Sequence, residues 1–256
     1  MRERKLPPIV VEMPDGTMYT VRKLLGNDTS NTKLAKSAGS ETRIFGLSMS
    51  PHTLGGYNVC AAATPGCIAS CINTSGLGVY RSVQRGRLAK KLAFFKHREA
   101  FIAMLKREIA NAVKTATRKG YKVAVRLNVF SDLPWEKICD VIQSFPQVQF
   151  YDYTKRAERL GNTPPNYYLT LSHSETNDAT CRKAIADGHN VAVPFLTKRR
   201  LVWGDDMPKE YYGVPTIDGD AHDVRFLDLR GGYVVALRAK GKGRKDKTGF
   251  VVPLTP

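Results

Sequence analysis

No apolar run in this sequence approaches the roughly 20 residues that a membrane-spanning helix needs. The charged start, Met1 to Lys5, runs into Pro7-Pro8 with no apolar core behind it, so a chain without a secretory signal, resident in the cytoplasm, is expected. Cysteine is scarce: five residues in 256, an odd number, which argues against a disulfide framework. In a reducing compartment the thiols are then expected to serve thiol or metal chemistry. Acidic residues are also few, 23 against 40 Lys and Arg, for a net charge of +17. The deficit is regional: Arg81 to Arg126 holds fourteen basic residues and two acids, whereas Leu127 to Leu237 holds twelve and fifteen. A field of this kind attracts polyanions, nucleic acid first.

The 42% of hydrophobic residues suffice for one sizeable core. We read residues 1–256 as a single domain with an N-terminal hairpin and loop (1–41), an α/β core (42–240) and a basic C-terminal tail (241–256). Residues 9–25 alternate as two strands around the turn Pro14-Asp15-Gly16, and residues 26–41 read as a loop. Arg43 to Met49 reads as a short buried strand. Leu88, Leu92, Phe95, Ile102, Leu105, Ile109, Ala112 and Ala116 form one face of a long helix ended by Lys119-Gly120. Its other face carries Arg87, Lys90, Lys91 and Arg98, the candidate phosphate contacts. Strands at 122–128, 148–153, 167–172 and 190–195 alternate with helical segments at 135–145, 155–160 and 178–187, and further strands fall at 213–217 and 233–239. That alternation implies parallel βαβ units, and six or more without reversal favour a (β/α) barrel of the TIM type, or a partial barrel, over an open sheet.

Polar residues gather just after these strands. Asn128, Ser131, Asp132 and Lys155 are candidates for holding a cofactor, and Asp152, His173, Glu175 and Asp220 for catalysis, because parallel strands deliver their C-terminal ends to one mouth. The bland alternative is that these groups cap helices, as Asp132 and Asn177 are placed to do.

Cys60, Cys67 and Cys71 fall within twelve residues, directly after the strand at 43–49, with a turn at Pro65-Gly66 between them. Thiolates are soft ligands for iron–sulfur clusters and zinc. Three of them on a four-iron, four-sulfur (4Fe-4S) cluster leave one iron open to a chelating molecule such as S-adenosylmethionine. Zinc, with His52 or water as fourth ligand, is the competing reading, and three free thiols the plainest. Cys139 and Cys181 lie on helical patterns and read as small buried hydrophobes.

The series Leu47-Ser-Met-Ser-Pro51, Gly55-Gly-Tyr-Asn-Val-Cys60, Val125-Arg-Leu-Asn128, Phe150-Tyr-Asp-Tyr-Thr-Lys155, Leu171-Ser-His-Ser-Glu175 and Asp218-Gly-Asp220 resembles the bacteriophage gene product eighty-eight family over roughly residues 30–252. The resemblance implies a phage or prophage origin, and hence the host cytoplasm. The order of strand and cysteine loop is also similar to the radical S-adenosylmethionine partial barrels. The intervals between cysteines differ, however, and Asn128-Val-Phe-Ser-Asp132 stands where those proteins carry a Gly-Gly-Glu type segment.

Three functions are expected from these observations. The first is a radical-type iron–sulfur enzyme acting on nucleic acid or a nucleotide. The second is a metal-dependent nuclease or replication-initiation protein, with Asp218, Asp220, His222 and Asp223 around a hard cation and Tyr151 or Tyr153 as nucleophile. The third is a non-enzymatic phage factor that binds nucleic acid or a host protein.

Overall fold

Val123 and Val125 point to one face of their strand and Ala124 and Arg126 to the other, and this alternation sets the architecture. The computed structural model describes residues 7–27, 41–197 and 207–254. Most of the expected loop at 26–41, and the segment between 197 and 207, lie outside the described residues. Strands β1 (Ile9–Glu12) and β2 (Met18–Val21) form the expected antiparallel hairpin, with Gly16 at φ 76° in the turn.

The main sheet has ten strands: β3 (Leu25–Asn27), β4 (Thr42–Leu47), β5 (Lys122–Arg126), β6 (Gln149–Thr154), β7 (Tyr167–Ser172), β8 (Val191–Leu196), β9 (Glu210–Tyr211), β10 (Val214–Asp218), β11 (Val234–Arg238) and β12 (Val252–Pro253). Its order is β3-β4-β5-β6-β7-β8-β11-β10-β9, and from β4 to β10 every neighbouring pair is parallel. The sheet is therefore mixed and mostly parallel, but it is open and does not form the favoured barrel. Short antiparallel strands, β3 and β9, occupy the two edges that closure would have to join. Phe195 of β8 pairs with Arg238 of β11 and with Val252 of β12, so these two lie on opposite edges of β8. Residues expected as a basic tail thus add a strand inside the sheet, taking the edge that β7 leaves after Ser172.

The helices cover one face. Helices α2 (Arg81–Lys96) and α3 (Arg98–Lys119) pack with the hairpin against β4 to β7, burying Leu92, Phe101, Leu105, Ile109, Val125 and Phe150. A short helix α1 (Pro65–Ala69) sits in the cysteine loop and α4 (Trp135–Ile138) follows β5. Helix α5 (Asp178–Ala186) lies over β7, β8 and β11 through Cys181, Ala184 and Ile185.

The single long helix expected here is two, broken at His97 (φ −135°, ψ 51°). Its apolar period survives the break because both halves face the same sheet. Arg98 closes the elbow: its Nε donates to Phe94 O at 2.9 Å and its guanidinium lies 3.8 Å over the Phe94 ring. Gly120, at φ 71°, ends α3 as expected. The helix expected at 135–145 stops after Ile138, where Cys139 turns extended, and that expected at 155–160 is a 3-10 turn over Ala157–Arg159.

The other face of the sheet carries Ile44, Ala124 and Tyr151. It is covered by the segment after β10, including Val224 and Phe226, rather than by a helix layer. Among the described residues no helix is long and apolar enough to cross a membrane.

Candidate functional site

The C-terminal ends of the parallel strands open into one cavity of about 980 Å³. Its wall takes Ser48 after β4, Asn128 to Asp132 after β5, Lys155 after β6, His173 after β7, Gly219 and Asp220 after β10, and Ala239 and Lys240 after β11. Cys60, Cys67 and Cys71 line the same cavity, and none of the three is in a disulfide among the described residues.

The cysteine loop is held at several points. The Lys91 ammonium is fully buried and donates to His52 O and Leu54 O at 2.6 Å each. Its pKa is pushed down to about 8 by burial, against the pull of Cys60. Asp132 N donates to Val59 O at 2.8 Å. Farther along, Thr64 caps α1 by accepting from Cys67 N, with Pro65 in the first helical turn. Glu175 then grips that helix start: Oε2 accepts from the Thr64 hydroxyl and Oε1 from Gly66 N, both at 2.7 Å. Burial alone would raise the Glu175 carboxyl, but these donors hold it below its ordinary value. A Cβ on Gly66 would come within 2.8 Å of the Glu175 carboxyl and closer still to the Thr248 hydroxyl, so a larger residue there would displace both side chains from this arrangement.

The thiols feel one another. Burial pushes Cys60 up to about 11, the His52 N–H pulls it down, and the charges of Cys71 and Cys67 push it further up. His52 N stands 3.3 Å from Cys60 Sγ, and the thiol faces Phe130 O at 3.5 Å. Among the described residues no three His, Cys, Asp or Glu side chains stand in a ready-made metal-ligating arrangement. The donor set nonetheless suits a soft metal, because three thiols from one loop share one cavity.

The expected catalytic residues separate into two groups. His173 and Asp220 reach the cavity. The His173 ring is buried, with Nδ1 3.0 Å from Tyr212 Oη and Nε2 3.3 Å from Gly249 O, and burial lowers its pKa. Asp220 is engaged by the Lys240 ammonium and accepts from Arg238 N at 2.9 Å. Asp152 and Glu175 do not line the cavity. Asp152 is fully buried behind it, accepting from Asn128 N at 2.7 Å, Asn128 Nδ2 at 3.2 Å and the Tyr167 hydroxyl at 2.8 Å. Burial raises its pKa to about 7, although Arg126 works in the other direction.

The expected cofactor-holding residues all line the cavity, yet their polar groups mostly bind the protein. Asn128 Oδ1 accepts from Ser131 Oγ, Leu133 N and Trp135 Nε1. Asp132 accepts from Lys155 N and from Arg159, which is itself clamped by both oxygens of Glu136. The Lys155 ammonium lies 5.2 Å over the Phe250 ring.

The basic face expected to meet phosphates is largely turned inward. Lys91 is buried as described, and the Lys90 ammonium donates to Leu24 O at 2.6 Å. The Arg87 guanidinium lies 4.2 Å over Phe130 on the cavity wall, with Nη1 bonded to Asn73. Arg98, at the helix elbow, is exposed. The acidic group expected around a hard cation is dispersed as well. Asp218 caps the backbone of Asp220 and Ala221, while Asp223 pairs with buried Arg126 at 2.9 Å and accepts from the Tyr151 hydroxyl. Tyr153 stacks against Arg126.

Sequence reasoning missed Arg126, although an arginine inside the apolar run Val123-Ala-Val-Arg-Leu127 is a legible sign of a buried polar site. It also missed Phe250 and Val251, which reach the cavity from the C-terminal segment without any local signature.

Fold and cavity together define an open parallel α/β protein whose strand-end site is built around a cysteine loop. The Gene product 88 family matches residues 21–253, and the chain belongs to that phage family. No curated protein and no solved structure matches it.

Proposed function

We propose that the protein is an iron–sulfur enzyme whose cluster is held by Cys60, Cys67 and Cys71 at the strand-end cavity. The observation that carries this reading is that all three thiols line the cavity on which the strand ends converge. A cluster bound there would supply electron transfer and an open iron for a chelating small molecule, with S-adenosylmethionine as the candidate from cofactor chemistry. The remaining steps belong to the chain. Glu175 and Lys91 position the loop by fixing Gly66 N and the carbonyls of His52 and Leu54. The His52 N–H beside Cys60 Sγ favours the thiolate. His173 is a positioning residue at the cavity wall: its ring is held between the Tyr212 hydroxyl and the Gly249 carbonyl, and burial lowers its pKa. Asp152 and Asn128 are positioning residues that hold the β5 and β6 ends together.

A substrate that is a nucleotide or nucleic acid remains part of this proposal. The inward direction of Arg87 and Lys90 favours a small molecule over a strand lying along the helix surface. Substituting Cys60, Cys67 or Cys71 singly by Ala should remove metal from the anaerobically purified protein, whereas Cys139→Ala and Cys181→Ala should not. Full metal retention in any of the first three would end the shared-site reading; zinc without sulfide would favour a zinc centre in the same place.

A further inference from the structure

The cavity wall carries eight Lys and Arg residues and three acids. Two of the acids are engaged by cations on the same wall, Asp223 by Arg126 and Asp220 by Lys240, and Asp132 binds Arg159 from behind. The excess is concentrated where the β2–β3 connection meets α2. Lys23, Arg87 and Lys90 all lie on this part of the wall; burial is the main cause that lowers the Lys90 pKa, to about 8, and the nearby charges of Lys23 and Arg87 add to it.

Among the described residues, one acid faces this group of cations. Glu108 is the acid that favours the Lys90 ammonium, and both its oxygens are taken by backbone: Oε1 accepts from Leu24 N and Oε2 from Leu25 N, each at 2.8 Å. Those bonds, with Lys90 Nζ on Leu24 O, fix the backbone that presents Lys23. Lys23 has no ion pair among the described residues. Arg87 lies flat on Phe130 and, among the described residues, bonds only through Nη1, leaving the rest of its donor fork for another acceptor. Three cations held together on fixed supports repel one another, and an anion placed between them relieves that repulsion.

We propose that Lys23, Arg87 and Lys90 form the binding site for the anionic group, phosphate or carboxylate, of a small molecule seated in the cavity beside the cysteines. The site stands on the wall's charge and geometry and does not require the metal. A cavity of about 980 Å³ accommodates a molecule of nucleotide or coenzyme size. The cations lie on its wall, so a compact ligand rather than an extended strand reaches them.

Isothermal titration of the full chain tests this, with inorganic pyrophosphate and citrate as separate probes and a short single-stranded DNA as the third. One pyrophosphate or one citrate per chain should bind, and the tighter of the two identifies phosphate or carboxylate as the preferred group. Lys23 is exposed and outside the core, so Lys23→Glu should keep the thermal midpoint while weakening binding about tenfold or more, the scale of one charge-assisted hydrogen bond. Lys114→Gln, on the exposed face of α3, should leave affinity unchanged. Binding that persists in the Cys60→Ala protein would uphold this site even where metal is lost. Absence of binding by both small anions, an unchanged affinity in Lys23→Glu, or DNA binding that neither small anion displaces would overturn it.

Discussion

At the scale of single residues, the buried carboxyl of Asp152 and the half-buried carboxyl of Glu175 illustrate opposite settings of one chemical group. Asp152 is withdrawn from water, and its pKa rises from 3.8 to about 7. A raised folded-state value means that its contribution to stability is fully present below about pH 4 and is lost as pH rises through about 7. The thermal midpoint of the wild type, relative to Asp152→Asn, should therefore fall across that interval; a constant difference would contradict the burial account. Glu175 instead spends both oxygens on the start of α1. Glu175→Ala should cost about 1–3 kcal/mol by leaving Gly66 N and the Thr64 hydroxyl without this acceptor. It should also reduce metal retention, with Glu175→Gln restoring part of both. Equal metal retention in the Ala variant would remove Glu175 from the role of loop anchor.

At the scale of elements, the sequence reports most clearly where one face is buried. The period from Leu88 to Ala116 identifies the α2–α3 pair, and the alternating strands 122–126, 149–154, 167–172 and 191–196 identify the parallel sheet, because packing on that sheet is what both patterns encode. What is not legible follows from tertiary contact. Nothing in the local pattern breaks the helix at His97, and a basic side chain looks the same in sequence whether it faces water or, as Lys91 does, three backbone carbonyls. The C-terminal strand β12 is two residues long and takes its identity from the β8 edge that it covers. Ending the chain at Val251 should therefore uncover that edge and lower the thermal midpoint by several degrees, about the effect of 1 kcal/mol in a domain of this size. An unchanged midpoint would show that β12 contributes little to the sheet. The three cysteines were legible as a cluster from their spacing, and the strand-end mouth from the βαβ order. The placement of Asp152 behind the wall was not, since alternation along β6 fixes a face but not what lies beyond it.

At the scale of the whole molecule, the net charge of +17 describes the sequence better than it describes the surface. A share of that charge is structural, in Lys91 and Arg98, or internal, in the buried Arg126, Arg159 and Arg225. Another share lines the cavity beside the cysteine loop, where it favours an anionic ligand over a cationic one. The proposed metal centre and the proposed anion site would thus be two parts of one strand-end mouth, brought together by the parallel strands whose ends line it. The most direct measurement is iron and acid-labile sulfide per chain after anaerobic purification, read with the visible spectrum. The account predicts about four iron and four sulfide per chain with absorbance near 400 nm, the signature of a cubane cluster, and their loss in Cys60→Ala, Cys67→Ala and Cys71→Ala. A colourless protein free of iron and sulfide after anaerobic reconstitution, with all three cysteines intact, would contradict it.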